Sequence, residues 1–152
     1  MARPGKAQGR RIRRIRQTVN QHRAMLNGPK NEERLIRIIS DYLEHGTDRP
    51  PWLLGVRAAD AQEQRQGIDA VVMSTDGPLF IQVKSSDVFL RKFERRQQHR
   101  FENGRRVFII GLIIIQARHS DGQVLGNALK ILRSTREQVR RYGLRRPICR
   151  PA

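Results

Sequence analysis

The chain has 152 residues, enough for one domain of ordinary size with a single hydrophobic core. Its 31 Lys and Arg residues against 14 Asp and Glu residues give a formal net charge of +17, which predicts a polyanionic partner, nucleic acid ahead of an anionic membrane. The single cysteine, Cys149, excludes an internal disulfide, and the longest apolar run, 107–115, is shorter than the roughly 20 residues of a membrane-spanning helix.

The positive charge is concentrated at the two ends of the chain. Residues 1–30 contain nine basic residues and no acid, and residues 133–152 contain seven arginines and one acid. We therefore predict a basic N-terminal arm at 1–30, an α/β domain at 31–132, and a basic C-terminal helix and tail at 133–152. A soluble, intracellular protein is expected, cytoplasmic or nucleoid-associated. The acid-free N-terminus also resembles an organelle transit peptide, although it lacks the usual serines.

The N-terminal arm has two interpretations. Apolar residues at spacings of three and four, Ile12, Ile15 and Val19, predict a basic amphipathic helix. The alternative is a disordered tail that neutralises phosphate without sequence preference. In either form its arginines are candidate nucleic-acid contacts, namely Arg10, Arg11, Arg13, Arg14 and Arg16.

The α/β domain begins with a helix, for which Asn31 is the predicted cap and Gly46 the predicted end. Its broad apolar face consists of Leu35, Ile36, Ile38, Ile39, Tyr42 and Leu43. Glu32 lies three residues before Leu35 and seven before Ile39, so it continues this face toward the rest of the domain. Glu33 instead stacks over polar positions.

Three predicted strands follow the helix. The first covers 52–59, and the polar stretch 60–67 is predicted to be a loop or turn. The segments "IDAVVM" at 68–73 and "LFIQVK" at 79–84 are separated by an Asp-Gly pair, which is typical of a tight turn. We therefore expect them to form a β-hairpin.

The second half of the domain alternates again between helix and strand. A helix is predicted at 85–104, a long buried strand at 105–118, and a further short strand within 124–133. A final helix at 134–143 is expected to open with a Ser-x-x-Glu capping box at 134–137. This order predicts an α/β fold, a small mixed β-sheet flanked by helices, with basic terminal extensions.

Polar residues in the hairpin indicate a site. Because side chains alternate along a strand, Gln82 and Lys84 share one face, and the hairpin can bring Asp69 beside them. A carboxylate and an amide oxygen can hold a hard divalent cation, and an ammonium group can assist an attacking water or stabilise developing charge. The grouping therefore suits phosphodiester hydrolysis.

In this arrangement "GID" at 67–69 and "IQVKSS" at 81–86, preceded by the acid-bearing helix, resemble the PD-(D/E)XK nuclease superfamily. The preceding helix resembles the first helix of archaeal Holliday-junction resolvases and related restriction-type endonucleases, and the resemblance covers roughly residues 31–115. It implies a restriction-endonuclease-like core, a site dependent on Mg²⁺ or Mn²⁺, and cleavage of DNA, including branched or structured DNA. Many relatives of this size work as homodimers.

The resemblance also implies roles for individual residues. Asp69 matches the metal-binding aspartate, Gln82 the second ligand, and Lys84 the motif lysine. Glu32 matches the helix acid that assists them and completes the metal ligands. Residues that follow the motif are implied as contacts to the phosphate or to water, namely Ser85 or Ser86, Arg91, Arg95, Arg96 and Gln97.

Two positions depart from the family pattern. Ile68 replaces the nominal proline, which changes little. Gln82 replaces a carboxylate with a neutral and weaker ligand, although branches resembling type IV restriction enzymes have Gln-x-Lys at this position. Glu32, or Glu63 from the loop, could supply the missing charge.

Two alternatives to a DNA endonuclease stay open. The first is a catalytically inactive nucleic-acid-binding protein with the same fold, which has lost cleavage together with the second carboxylate. The second is a basic component of a ribonucleoprotein or genome-packaging assembly. DNA is favoured over RNA as the partner.

Overall fold

The structure is a computed structural model that describes residues 30–86, 88, 90–95 and 109–142. It confirms the predicted α/β class, a four-stranded mixed sheet flanked by helices. In chain order the elements are α1 (30–45), β1 (Leu53–Ala58), α2 (Ala61–Arg65), β2 (Ala70–Ser74), β3 (Gly77–Lys84), α3 (90–95), β4 (Ile110–Ile114) and α4 (Asp121–Tyr142). Among the described helices, none combines the length and apolar character needed to cross a bilayer.

The strands are arranged in the order β1-β2-β3-β4. The first three are antiparallel neighbours, and β4 runs parallel to β3 after a crossover that includes α3. The predicted hairpin is present: Ala70 pairs with Ile81, and Ser74 pairs with Gly77. Its turn needs glycine because Gly77 has a φ of 102°, which L side chains rarely adopt.

Helices cover both faces of the sheet because each strand alternates its side chains. Leu79 and Ile81 of β3 point into the main core, where α1 contributes Leu35 and α4 contributes Leu132. The opposite face has a smaller apolar cluster formed by Ala59, Ile68, Val71 and Ile110, against which Phe80 and Phe93 of α3 pack. Gln82 and Lys84 alternate with the main-core residues and so lie on this second face.

The helix α4 corrects two predictions. Its 22 residues include 124–133, where a strand was expected, and the predicted domain boundary at 132/133 falls inside it. Buried residues recur along it at intervals of three and four: Val124, Ala128, Leu132, Thr135 and Val139. The capping box lies at Ser120, whose hydroxyl accepts the Gln123 N–H at 3.1 Å, while the Gln123 side chain accepts the Ser120 N–H at 2.9 Å. Ser134 is in mid-helix and caps nothing.

Two further segments differ from expectation. The stretch 60–67, predicted as loop or turn, contains α2, which is capped by Asp60 and Glu63 in a reciprocal pair of hydrogen bonds of 2.8 and 2.9 Å. Asn31 lies inside α1 rather than at its cap. Of the long strand predicted at 105–118, the described part forms β4 and ends in a turn at 115–120.

Candidate active site

Asp69 lies just before β2 and is fixed to the neighbouring strand at two points. Its backbone N–H donates to the Ile81 carbonyl at 2.8 Å, and its carboxylate Oδ2 accepts the Val83 N–H at 2.7 Å. Since Ala70 pairs with Ile81, Asp69 lies opposite Gln82 in the register of the hairpin. The carboxylate is therefore held in one orientation beside the polar face of β3.

Glu32 reaches the same place from the first turn of α1. Its carboxyl group forms a hydrogen bond with Asp69. The start of α1 is fixed there because the Asn31 side chain donates to the Ile115 carbonyl at 3.2 Å, and the Ile115 N–H donates to the Lys84 carbonyl at 2.8 Å. Two hydrogen bonds thus connect the first turn of α1 to the end of β3 through Ile115.

Arg34 holds α1 against the turn that precedes α4. Its guanidinium donates to the His119 carbonyl at 2.6 Å and to the Asp121 carboxylate at 2.8 Å. These partners are more than 80 residues away along the chain, so no local pattern in the sequence indicates the contact. Arg34 and Asn31 together set where Glu32 meets the sheet.

Lys84 and Gln82 complete the cluster at half-buried positions on β3. The ammonium of Lys84 is close enough for its charge to lower the pKa values of Glu32 and Asp69, yet it belongs to none of the ion pairs within 4.0 Å among the described residues. The Gln82 amide forms no hydrogen bond with another described side chain or backbone group. Both groups are free to meet a ligand.

The neighbouring Asp69 carboxyl group opposes the ionisation of Glu32. Burial raises the pKa of Glu32 above its usual range, and the charge of Asp69 and their shared hydrogen bond raise it further, against the opposing charge of Lys84. Burial also raises the pKa of Asp69, although the Val83 N–H, Lys84 and the bond from Glu32 lower it in part. Burial therefore disfavours the charged form of both carboxyl groups, while the charge of Lys84 favours it.

The donor set fits a divalent cation that prefers oxygen ligands. The Glu32 and Asp69 carboxyl groups lie together at one edge of the sheet, and Gln82 lies opposite Asp69 on the neighbouring strand. No group of three His, Cys, Asp or Glu side chains with metal-binding spacing occurs in the part of the chain that the structure describes. A third side-chain ligand would therefore have to be the neutral oxygen of Gln82.

The other predicted contacts are distributed around this cluster. Ser85 follows β3 at a half-buried position, Ser86 accepts the Val88 N–H at 3.2 Å, and Arg91 and Arg95 are exposed on α3. The predictions for the N-terminal arginines (Arg10, Arg11, Arg13, Arg14, Arg16) and for Arg96 and Gln97 lie outside the described residues.

Glu63 does not supply the missing charge. Its carboxylate forms an ion pair with Arg57 at 2.7 Å and caps α2 through Asp60, and these hydrogen bonds lower its pKa. That alternative from the sequence is corrected: the acid has a structural role in α2.

Comparison of the chain with protein-family models, with curated proteins and with solved structures finds no match. The roles of Glu32, Asp69, Gln82 and Lys84 in catalysis therefore stay predictions. Their support is the geometry described above and the chemistry of the residue types.

Proposed function

We propose that this protein is a metal-dependent endonuclease of the PD-(D/E)XK type that hydrolyses phosphodiester bonds in DNA. The observation that supports it best is that Glu32, Asp69 and Lys84 lie together at one edge of the sheet. They come from α1, from the residue before β2, and from the end of β3. The order of elements, with a hairpin followed by a crossover to a parallel strand, is consistent with a restriction-endonuclease-like core. Intracellular location and a homodimer belong to the same proposal.

Each residue of the cluster has a defined task in this proposal. Asp69, Glu32 and Gln82 would hold Mg²⁺ or Mn²⁺, which when bound neutralises phosphate charge and acidifies water. The Val83 N–H keeps the Asp69 carboxylate in position before the ligand arrives. The ammonium of Lys84 donates to the attacking water or to a phosphate oxygen as negative charge develops.

The charge of the molecule favours DNA as the substrate. The net charge of +17 attracts a polyanion, and Arg91 and Arg95 are exposed on α3, shortly after the strand that presents Lys84. Contacts of this kind neutralise phosphates and select no base sequence. We therefore expect recognition by the shape or branching of the DNA.

A nicking assay tests the proposal. We expect the full-length protein to nick supercoiled plasmid or branched DNA in Mg²⁺ or Mn²⁺, and Asp69→Asn and Lys84→Ala to lose roughly 10²–10⁴-fold in rate while DNA binding survives. Asp69→Asn keeps an oxygen that can accept the Val83 N–H, which preserves the local fold. Glu63→Gln is the control, because it removes an acid whose side chain pairs with Arg57 rather than with the cluster, and it should nick at the wild-type rate.

The neutral Gln82 favours one second candidate, a nucleic-acid-binding protein that does not cleave. It predicts the same DNA affinity for the wild type and for Asp69→Asn, with no nicking in either cation. Nicking that survives in Asp69→Asn would contradict both candidates, because the activity would then come from elsewhere in the chain or the preparation.

A further inference from the structure

The outer face of α4 has a cluster of cations far from the candidate active site. This α4 cationic face consists of Lys130, Arg133, Arg140 and Arg141, with a single acid, Glu137, between them, and all five are exposed. At 100° per residue the five positions occupy an arc of about 100°, opposite the stripe that α4 buries against the sheet. The face is therefore regular, solvent-facing and strongly positive.

Four other arginines among the described residues are paired with acids. Arg34 and Arg37 bind Asp121, at 2.8 and 2.9 Å, and Arg57 binds Glu63 at 2.7 Å. On the inner side of α4 itself, Arg136 binds Asp76 and lies 5.1 Å from the centroid of the Trp52 ring.

Most cations of the α4 cationic face have no acidic partner among the described residues. Lys130, Arg133 and Arg141 take part in none of the ion pairs within 4.0 Å that the described residues form, and Arg140 approaches Asp76 only at 3.9 Å. Like charges close together on a helix repel one another, although Arg140 and Arg141 lie in the last turn, where the helix dipole favours cations. The cations of this face are therefore available to external negative charge.

The C-terminal part of the face lies at the end of the sheet opposite the carboxyl cluster. Arg136 and Arg140 both approach Asp76, in the turn that begins β3, whereas Lys84 ends the same strand. An eight-residue strand is roughly 25 Å long, so Arg140 is about that far from Lys84, and Lys130 lies nearer because its neighbour Ile131 packs at Gly111, beside Ile81. The helix α4 also covers the main-core face of the sheet, while Lys84 lies on the other face.

We propose that the α4 cationic face binds the phosphate backbone of duplex DNA at a distance from the cleavage edge. From Lys130 to Arg141 the helix rises about 16 Å, and duplex DNA presents one charge per about 1.7 Å, so several phosphates lie within reach of the four cations. The inference rests on the nucleic-acid partner of the proposed function but uses none of its catalytic residues.

Salt-dependent binding of the full-length protein to duplex DNA tests this inference. Measured in EDTA, the triple variant Lys130→Gln, Arg133→Gln, Arg141→Gln should bind about tenfold or more weakly and reduce the slope of log K against log salt by about 3. Glutamine preserves helix propensity, and circular dichroism checks the fold. In the opposite direction, Glu137→Gln should tighten binding.

A matched pair of variants separates a local contact from total charge. Arg133→Gln and Arg65→Gln remove the same charge from exposed helical positions, and only the first should weaken binding and lower the slope. Equal effects, or no change in the slope for the triple variant, would overturn the inference. So would a triple variant that loses binding to phosphatidylserine vesicles while its DNA binding is unchanged. Absence of nicking with these binding results intact would overturn the nuclease proposal alone.

Discussion

At the scale of single residues, the carboxyl pair of Glu32 and Asp69 makes folding sensitive to pH. Both pKa values are raised in the folded state, by burial first and, for Glu32, also by the neighbouring acid. A carboxyl group of this kind contributes stability that is fully present below its ordinary pKa, near 4, and is lost as the pH rises through the raised value. The folded protein without a cation is therefore penalised at neutral pH.

We expect Glu32→Gln to remove much of this penalty. In EDTA, the free energy of unfolding of the wild type should decline relative to that of Glu32→Gln as the pH rises from about 4 toward 7. The difference between the two free energies of unfolding reports on Glu32 and Asp69 alone. Acids with lowered pKa values, such as Asp121 and Glu63, are present in both proteins and cancel. Urea denaturation at a series of pH values measures it, and parallel curves would contradict the prediction.

A substitution at Gln82 tests the cation site by an expected gain in cation affinity rather than a loss. Restoring a carboxylate with Gln82→Glu adds a charged oxygen ligand opposite Asp69, and cation affinity increases with the charge of the ligand set. We expect the variant to bind Mn²⁺ about tenfold or more tightly than the wild type, at some loss of stability in EDTA. Calorimetric titration measures both proteins. Unchanged affinity would show that position 82 does not face the cation.

Much of the candidate site was predictable because its signals are local. Strand alternation places Gln82 and Lys84 on one face, a two-residue turn fixes their register with Asp69, and helical spacing separates Glu32 from exposed Glu33. The contacts of Asn31 and Arg34 were not predictable, because their partners lie more than 80 residues away and depend on how α1 packs.

At the scale of elements, α4 is capped by Ser120 and not by Ser134, where the cap was predicted. Ser120 accepts the Gln123 N–H, whereas Ser134 is exposed in mid-helix. Replacing an N-cap serine by alanine costs about 1 kcal/mol, so Ser120→Ala should destabilise the protein by that amount. The matched control, Ser134→Ala, should be neutral or slightly stabilising. If urea denaturation showed Ser134→Ala to be more destabilising than Ser120→Ala, the helix would start at Ser134, as the sequence pattern predicted.

The contact between β4 and α4 depends on a glycine. A Cβ atom at Gly111 would lie 2.5 Å from the Thr135 hydroxyl and 3.0 Å from Ile131. We expect Gly111→Ala to destabilise the fold by about 1–3 kcal/mol.

Because the nearest atom is the Thr135 hydroxyl, the double variant Gly111→Ala, Thr135→Ala should recover part of this loss. A double-mutant cycle from urea denaturation measures the coupling. Strictly additive effects would show that the two elements do not meet there.

A short strand was predicted within 124–133, where the apolar, polar, apolar order of Leu129, Lys130 and Ile131 fits a period of two over three residues only. Over the full helix, burial instead follows a period of three to four. A short window cannot separate the two periods, and packing of α4 on the sheet decides between them. The capping signal at Ser120 and Gln123 was present in the sequence.

At the scale of the whole molecule, the fold separates two charged regions along one strand. The carboxyl cluster with Lys84 lies where β3 ends, and the α4 cationic face lies toward the turn where β3 begins. A nucleic acid that contacts both would extend over roughly 25 Å of protein. If both proposals hold, substitutions in one region should leave the function proposed for the other unchanged.

The proposed function requires that Glu32, Asp69 and Gln82 form one cation site. Calorimetric titration of Mn²⁺ into the full-length protein, repeated in two buffers of different ionisation enthalpy, tests it most directly because it counts protons released on binding. We predict binding with proton release that increases as the pH is lowered from about 8 to 6, abolished in Asp69→Asn and retained in Glu63→Gln. Binding that is identical in Asp69→Asn, or absent from the wild type, would contradict the claim.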